Sequence, residues 1–260
     1  MINSILTVGI LEFYGVEGKF KALIDSYLTG RYQRVALDNI TSEWEKIKCG
    51  VPQGSILGPM FFLIYINDLP TLINKDNNMV LFADDTSIVI TDSNTRDFNI
   101  IANQIAHDIN TCFNISLLTL NLNKTQYIEF RTKNYYNVNT LIKYDQRAIT
   151  NATDIKFLGL IIDDTLSWKQ HIEHLVNKMC TACYALRNIK HVAAVHTLRV
   201  IYFIHIHSIM SYGIIFWGSS SYANKVFILQ KKIIGIITNT EPRDSRREVF
   251  KNMEIIMLYS

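Results

Sequence analysis

The sequence predicts an α+β fold over residues 1–164, followed by an α-helical region over residues 165–260. In the first region, short β-type stretches bounded by turn residues alternate with segments of helical periodicity. In the second, apolar residues recur at helical spacing through three long segments. Hydrophobic residues make up 48% of the 260 residues and charged residues 19%, so the chain can bury a sizeable core in one large domain or two small ones.

The first predicted elements are two short helices and a β-hairpin. Over residues 10–28 the apolar positions follow a helical spacing that Gly15 and Gly18 interrupt, which predicts two helices rather than one. Residues 33–37 and 44–49 alternate apolar and polar side chains on either side of a polar turn. This pattern predicts a β-hairpin that ends before Gly50.

A helix and two β-type arms follow. Ser55 is a suitable N-cap for a helix over the next residues, and Pro70 a suitable stop. Because residues 56–66 are apolar on every face, this helix is expected to be buried. Two β-rich arms, 79–83 and 86–90, then enclose a pair of aspartates.

The rest of the chain alternates strands and a loop before it becomes helical. The remaining predicted elements are an amphipathic helix over 95–113, strands over 127–131 and 155–162, a polar loop over 133–139, and helices over 168–189, near 193–211 and near 222–238. The change of character after residue 164 predicts the boundary between the α+β part and the helical part.

Composition excludes several classes of protein. Four scattered cysteines do not form a disulfide framework, and Cys180 and Cys183 have zinc-like spacing without a second ligand pair, so both are expected in the core. The N-terminus lacks the features of a signal peptide. The apolar run over 200–217 contains several polar groups, including His205 and His207, which predicts a buried helix with core histidines rather than a membrane span.

Asp84 and Asp85 are the first residues that suggest chemistry. Two adjacent carboxylates between β-type arms place negative charge at a hairpin tip, where Mg²⁺ finds the hard oxygen ligands that it prefers. Enzymes that transfer phosphoryl groups use such carboxylates to hold two metal ions. Taken alone, however, an Asp-Asp pair between strands is more often a solvated turn.

The ten residues from Gly50 to Pro59 (Gly-Val-Pro-Gln-Gly-Ser-Ile-Leu-Gly-Pro) strengthen the functional interpretation. This loop lets the backbone approach a ligand closely, and the Gln53 side chain offers both a donor and an acceptor. A tight turn with a helix cap would explain Gly50, Gly54 and Ser55. It would not explain Pro52-Gln53 or the second Gly-Pro step.

Taken in this order, the Gly50–Pro59 loop and the segment Phe82-Ala83-Asp84-Asp85-Thr86 resemble motifs B and C of non-LTR retrotransposon reverse transcriptases. The resemblance covers nearly the whole chain. Leu120–Thr125 is similar to motif D, Phe157–Asp163 to the segment at the palm–thumb junction that helps hold the primer, and Trp168 with His171-Ile172, Tyr212–Gly218 and Leu229–Lys232 to thumb and post-thumb features.

The resemblance implies a fold and a set of roles. Residues 1–164 would form the polymerase palm, an antiparallel sheet with packed helices that lacks fingers and motif A, and residues 165–260 the helical thumb and post-thumb region. Asp84 and Asp85 would hold catalytic Mg²⁺, or Mn²⁺ in its place. The template base and incoming nucleotide would contact the pocket shaped by Pro52, Gln53, Gly54 and Ser55.

The resemblance also implies roles for basic residues. Lys124 would neutralise or protonate the departing pyrophosphate, although without the resemblance it reads as a solvated surface lysine. Gly159, Lys178 and Lys190 would contact the primer or the duplex. Further cations that could meet phosphates are Arg187, His191, Lys231, Lys232, Arg243, Arg246 and Arg247. The alternative for these cations is an ordinary solvated helix face.

A third metal-binding aspartate, on motif A, is expected from the resemblance but does not occur at the matching place. Phe13-Tyr14-Gly15-Val16 matches the step that follows motif A, which puts the expected aspartate immediately ahead of Met1. Asp25, the nearest acidic alternative, lies past that step in a helical stretch. We therefore expect an N-terminally truncated fragment with little or no activity alone, because catalysis by positioning tolerates little misplacement.

Three hypotheses follow from the sequence. The first is an RNA-directed DNA polymerase by descent, with an RNA template, a DNA primer and deoxynucleoside triphosphates as partners, no membrane, and a place in the cytoplasm or nucleus. The second is a noncatalytic remnant that binds a template–primer duplex through its helical half. The third is a relic of a decayed gene with no role, against which an in-frame motif A aspartate encoded upstream would count.

Overall fold

A computed structural model describes residues 4–47, 49–52, 54–72, 78–92, 95–130, 140–240 and 247–258. The described residues form two compact units. The first unit contains the residues up to Thr125 together with 140–150, and the second contains 126–130 together with the residues from Asn151 onward. Several residues considered above lie outside the described ranges: Gln53, Arg131, the predicted loop over 133–139, Arg243 and Arg246.

The elements follow one another in an order that mixes helices with short strands. The first unit contains α1 (Ser4–Phe13), α2 (Gly18–Leu28), β1 (Tyr32–Gln33), β2 (Ala36–Leu37), β3 (Ile40–Thr41), β4 (Glu45–Lys46), α3 (Leu57–Ile66), α4 (Leu69–Leu72), β5 (Asn78–Phe82), β6 (Asp85–Val89) and α5 (Thr95–Ile115). Then come β7 (Gln126–Tyr127), β8 (Lys143–Tyr144), β9 (Arg147–Ala148), β10 (Thr150–Asn151), β11 (Asp154–Phe157), β12 (Leu160–Asp163) and α6 (Lys169–Ile189). The last elements are α7 (Val195–Tyr202), a π-helical turn (Phe203–His207), α8 (Ser208–Ser211), α9 (Ile214–Trp217), α10 (Asn224–Thr238) and α11 (Arg247–Asn252).

The predicted elements of the first unit are largely confirmed. Two helices occupy the region around residues 10–28, and the turn between them includes Gly15 at φ 85°. The predicted hairpin is a ladder in which β1 pairs with β4 and β2 with β3. Helix α5 is the predicted amphipathic helix, and it buries Ala102, Ile105 and Ala106. In the second unit, the predicted strand over 127–131 is shorter within the described residues, since β7 ends at Tyr127.

Helix α3 corrects the expectation of complete burial. It buries Phe61, Tyr65 and Ile66, but Met60 and Leu63 are 54% and 53% exposed, and Ile56 just before the helix is 89% exposed. The reason is that the first unit has no single core. Its buried side chains are divided among three small clusters, and α3 contributes to two of them from one side only.

The second unit has one large hydrophobic core. Helices α6, α7 and α10 and the π-helical turn surround side chains with no exposed surface, among them Ile172, Met179, Tyr202, Trp217 and Ile233. The buried Gln230 carboxamide donates to Tyr202 Oη and to the Ile256 carbonyl, both at 3.0 Å, and its Oε1 accepts from Leu258 N at 3.2 Å. Gln230 therefore ties the C-terminal residues onto the helical core.

Two core predictions in this unit were partly wrong. His205 is exposed and His207 is half-buried against the rings of Tyr202 and Phe203, because they lie in a π-helical turn that shifts the inward-facing positions of the helix. Cys183 is buried on the inner face of α6, whereas Cys180 is exposed.

In the described parts of the chain, no helix combines the length and the apolar character that crossing a membrane requires.

The predicted single strand over 155–162 is a β-hairpin. Strands β11 and β12 pair antiparallel from Asp154↔Asp163 to Phe157↔Leu160, and a two-residue turn at Leu158 (φ 45°) and Gly159 (φ 88°) connects them. Positive φ at both central residues is the geometry of the tightest hairpin turns. Leu160 belongs to the core of the helical unit, so the contacts group this hairpin with that unit, whereas the boundary predicted near residue 165 assigns it to the α+β part.

Candidate active site

The two adjacent aspartates lie at the tip of the β5–β6 hairpin. Phe82 pairs with Asp85, so Ala83 and Asp84 form a two-residue loop between the strands. Ala83 has φ 51°, a conformation that favours glycine and is strained for other residues. Asp84 and Asp85 are both exposed. The tight loop therefore presents both carboxylates to solvent within one residue of each other.

The donor set of this tip fits a hard divalent cation. Mg²⁺ is commonly held by one or two carboxylates and completes its shell with waters and substrate phosphates. Asp84 and Asp85 supply such carboxylates, and among the described residues their side chains make no hydrogen bond or ion pair that would compete. Within the same residues, no group of three or more His, Cys, Asp or Glu side chains is arranged to hold a metal ion.

The loop that begins at Gly50 is a glycine-dependent turn capped onto α3. Gly50 and Gly54 have φ of 92° and 78°. Ser55 N donates to the Pro52 carbonyl at 3.2 Å, and Ser55 Oγ accepts from Gly58 N at 3.1 Å. Ser55 thus makes the capping hydrogen bond predicted for it, but Ile56 occupies the N-cap position, because α3 begins at Leu57. A Cβ at Gly58 would lie 3.1 Å from Ser55 Oγ, so this glycine keeps the cap close to the helix.

Arg31 anchors this loop, a contact that the sequence interpretation missed. Its Nε donates to the Leu28 carbonyl at the end of α2 at 3.0 Å, and its Nη2 donates to the Gly50 carbonyl. Val51 packs beside Leu28 in an apolar cluster. The available signal was a cation just beyond a helix C-terminus, where unpaired carbonyls attract positive charge.

Lys124 lies in a turn organised by Asn121. The Asn121 carbonyl accepts from Lys124 N at 3.0 Å and from Thr125 N at 3.1 Å, and its side chain accepts from Asn123 N at 3.2 Å. The Lys124 side chain is exposed. Among the described residues, no ion pair or hydrogen bond joins it to Asp84 or Asp85. The structure therefore does not bring Lys124 into contact with the aspartate pair.

Two other acidic residues, Asp68 and Asp25, lie in different surroundings. Asp68 Oδ1 accepts from Tyr14 Oη at 2.6 Å, and Asn67 Nδ2 donates to the same Tyr14 oxygen at 2.8 Å. The hydrogen bond to Asp68 raises the pKa of Tyr14. This network ties the residue after α1 to the turn between α3 and α4. Asp25 lies exposed on α2, as its helical context predicted.

The residues expected to contact the duplex occupy several places in the second unit. Gly159 is exposed at the β11–β12 turn, and Lys178 is exposed on α6. Lys190 follows α6 and donates to Asn239 Oδ1 at 3.0 Å. Lys231 Nζ lies 4.1 Å from the ring centroid of Phe227. Arg187, His191, Lys232 and Arg247 are exposed.

Comparison with known proteins gives consistent results. The profile of the family described as reverse transcriptase (RNA-dependent DNA polymerase) matches residues 10–162. In Drosophila melanogaster, the probable RNA-directed DNA polymerase from transposon BS is 24% identical over 250 residues, which cover 92% of this chain and 27% of that protein. The probable RNA-directed DNA polymerase from transposon X-element is 23% identical over 228 residues, or 84% of this chain and 25% of that protein.

A third relative, the RNA-directed DNA polymerase from mobile element jockey, is 25% identical over 255 residues, which cover 90% of this chain and 26% of the relative. The chain thus spans about a quarter of the length of these curated relatives. The family profile covers more than half of the chain and includes both the Gly50–Pro59 loop and the Asp84–Asp85 hairpin. The chain therefore belongs to the reverse transcriptase (RNA-dependent DNA polymerase) family.

Proposed function

We propose that this chain is part of an RNA-directed DNA polymerase of a non-LTR retrotransposon. In the proposed reaction, the 3′-hydroxyl of a DNA primer attacks the α-phosphate of a deoxynucleoside triphosphate, and pyrophosphate leaves. The observation that carries the proposal is the β5–β6 hairpin tip, where a tight loop exposes Asp84 and Asp85 inside the region that matches the family. The three relatives are named for this activity or its probable presence.

Each part of the site takes a role in this proposal. Asp84 and Asp85 would hold Mg²⁺ or Mn²⁺, which supplies charge neutralisation at the attacking and leaving oxygens. Pro52, Gly54 and Ser55, with Gln53, would shape the pocket for the template base and the incoming nucleotide. Glycines with positive φ and open space around them allow the backbone to approach a ligand closely.

The remaining roles belong to cations and to the helical unit. Lys124 is exposed and free to approach the departing pyrophosphate as a donor of charge or of a proton. Gly159, Lys178 and Lys190 would contact the primer strand or the duplex. In this proposal the first unit corresponds to the palm and the helical unit to the thumb, with RNA template, DNA primer and nucleotides as partners.

The experiment is primer extension on an RNA template with Mg²⁺ or Mn²⁺. Because Asp84 and Asp85 meet no third described carboxylate, we expect the chain alone to extend the primer only at trace level. That trace should disappear in Asp84→Asn and Asp85→Asn. It should persist in Asp145→Asn, the matched control, since Asp145 also occupies a hairpin turn of the first unit.

Two outcomes would contradict parts of this proposal. Extension that survives both Asp84→Asn and Asp85→Asn would show that the pair does not hold the catalytic metal. Robust Mg²⁺-dependent extension by the chain alone, abolished by Asp84→Ala, would refute the expected weakness of the isolated chain.

A noncatalytic duplex-binding role is the second candidate. The observation that favours it is a well-packed helical unit with exposed cations, whereas no group of three or more His, Cys, Asp or Glu side chains among the described residues is arranged to hold a metal ion. Phosphate contacts release counterions, so true duplex binding should weaken steeply as salt rises from 50 to about 200 mM. A salt-independent affinity measured by fluorescence anisotropy would exclude it. Salt-dependent binding without any extension would favour it over the polymerase.

A further inference from the structure

We propose that Tyr212 is the positioning residue for the Leu158–Gly159 turn, and that it fixes the turn where it meets the primer end of a bound duplex. This inference rests on the proposed role of that turn in duplex binding. Two segments carry it, the β11–β12 hairpin and the stretch from Tyr212 to Trp217, and their contacting residues Leu158 and Tyr212 are 54 positions apart in the chain. Both belong to the helical unit.

The first observation is a hydrogen bond across the two segments. The phenolic hydroxyl of Tyr212 donates to the carbonyl of Leu158, at the tip of the hairpin. Gly159 makes the approach possible, because a Cβ at that position would lie 3.3 Å from Tyr212 Cε1. The glycine is therefore required twice, once for its φ of 88° and once for the space that the tyrosine ring occupies.

The second observation is that the Tyr212 backbone is joined to the core, although its side chain is 53% exposed. The indole Nε1 of the fully buried Trp217 donates to the Tyr212 carbonyl at 3.0 Å. At the next residue, Gly213, a Cβ would lie only 2.7 Å from Leu160 Cδ2, so Leu160 packs into the notch that this glycine leaves. The tyrosine is thus joined to the core on one side and to the hairpin on the other.

The third observation is an open cavity beside the turn. It has a volume of about 530 Å³, is bordered by both the hairpin and the Tyr212 segment, and is lined almost entirely by apolar atoms. Leu158 and Tyr212 both face this cavity. Beside this cavity, the Tyr212 hydroxyl joins the tip of the hairpin to the Tyr212 segment through a polar contact. Deleting the hydroxyl should release the turn without disturbing the core.

The consequence concerns recognition of the primer end. A turn held in one position can offer its exposed backbone to a phosphate at a fixed place, whereas a released turn must be ordered on binding, which costs affinity. Releasing the turn would not affect contacts that other residues make elsewhere along the duplex. Tyr212 should therefore influence the preference for a recessed 3′ end over a blunt duplex, and not general duplex affinity.

The test compares Tyr212→Phe with the wild-type chain in two measurements. The first is the ratio of dissociation constants for a recessed RNA–DNA primer–template and for a blunt duplex of equal length, by fluorescence anisotropy. We expect the substitution to reduce the preference for the recessed end about five-fold, the equivalent of one hydrogen bond. The second is hydrogen–deuterium exchange of residues 157–162, which should become faster.

Two matched variants separate positioning from stability. Tyr202→Phe deletes a buried hydroxyl that bonds Gln230 in the core, so it should lower the melting temperature and leave the end preference unchanged. Tyr184→Phe deletes an exposed hydroxyl on α6 and should change neither quantity. A purely structural role of Tyr212 would make Tyr212→Phe behave like Tyr202→Phe.

The outcomes distinguish the inference from the function on which it rests. A wild-type chain that binds no duplex overturns the duplex-binding role and the inference together. A wild-type chain that binds both duplexes equally, or a Tyr212→Phe chain that keeps the full end preference, overturns the inference alone. Reduced preference with faster exchange of the turn, and unchanged preference in both control variants, supports it.

Discussion

Asp163 illustrates how a single carboxylate organises the turn that precedes α6, the longest described helix of the second unit. It is buried at the end of β12, where its Oδ2 accepts from Thr165 Oγ1 at 2.7 Å and from Ser167 N at 2.9 Å. Its Oδ1 accepts from Trp168 N at 2.7 Å. Burial raises the pKa of this carboxyl, but the hydrogen bonds outweigh burial and hold the pKa below its ordinary value.

We expect Asp163→Asn to destabilise the second unit by about 1–3 kcal/mol at pH 7, because an amide nitrogen would face backbone donors that now meet an oxygen. The folded pKa is depressed, so the stabilisation is complete above the unfolded pKa of about 3.9 and is lost as pH falls through the folded pKa. Urea unfolding at neutral and acidic pH measures the free energy of unfolding of the wild-type chain and of Asp163→Asn. The difference between these two free energies should shrink in acid. The neighbouring Asp164→Asn is the control. A difference in unfolding free energy between wild type and Asp163→Asn that does not change with pH would contradict a stabilising role of the ionised Asp163 carboxylate.

At the scale of an element, the Gly50–Pro59 loop depends on a side chain outside it. Arg31 follows α2 and donates to two carbonyls, that of Leu28, which precedes β1, and that of Gly50, which follows β4, so both lie at the base of the β1–β4 ladder. The Arg31 carbonyl accepts from Ile47 N at 2.9 Å, which closes the base of the same ladder. The β1–β4 ladder, which leads into the Gly50–Pro59 loop, is thus fixed at its base.

Replacing Arg31 by methionine should loosen the loop. The substitution keeps much of the apolar stem but removes both charged hydrogen bonds, so we expect a loss of about 1–3 kcal/mol in the first unit. Hydrogen–deuterium exchange over residues 49–58 should accelerate. Arg31→Lys should rescue only in part, because one ammonium lacks the forked geometry that spans two carbonyls.

Arg34→Met is the matched control for the loop experiment. Arg34 lies on the same hairpin, and its guanidinium stacks over the ring of Trp44 at 4.7 Å from the centroid. This variant should leave exchange over residues 49–58 unchanged. Equal acceleration in both variants would mean that the hairpin as a whole, and not Arg31, holds the loop.

At the scale of the whole molecule, the two units differ in how much apolar surface they bury. The second unit has one continuous core, whereas the first divides its buried side chains among small clusters. The first unit also leaves large apolar side chains exposed on α1, α3 and the β5–β6 hairpin. Burial of apolar surface is the main stabilising contribution in folding, so the helical unit should be the more stable.

We therefore expect the first unit to open before the second. In hydrogen–deuterium exchange at increasing urea concentration, amides of α3 and of β5–β6 should lose protection at lower urea than amides of α6 and α10. The predicted order follows from burial alone and holds whether or not the chain is active. Loss of protection at one common urea concentration would show instead that the two units unfold as a single cooperative structure.

Local patterns in the sequence determined much of the fold and the location of the site. Helical periodicity identified α5, α6 and α10, and alternation identified the β1–β4 hairpin, because each depends on the chemistry of residues a few positions apart. Turn chemistry around Gly54 and Ser55 predicted the cap of α3, and the Asp84–Asp85 pair with its β-type arms predicted a hairpin tip. These features are short-range, so the chain itself specifies them.

Tertiary structure decided which faces are covered and which distant residues meet. An all-round apolar α3 remains half exposed because burial requires a neighbour on every side, and no local pattern reports the neighbours. The bonds from Arg31 to Gly50 and from Tyr212 to Leu158 join residues 19 and 54 positions apart, which periodicity cannot pair. The sequence thus established the family and the aspartate pair, and the packing of separate segments established what holds the loop and the turn in place.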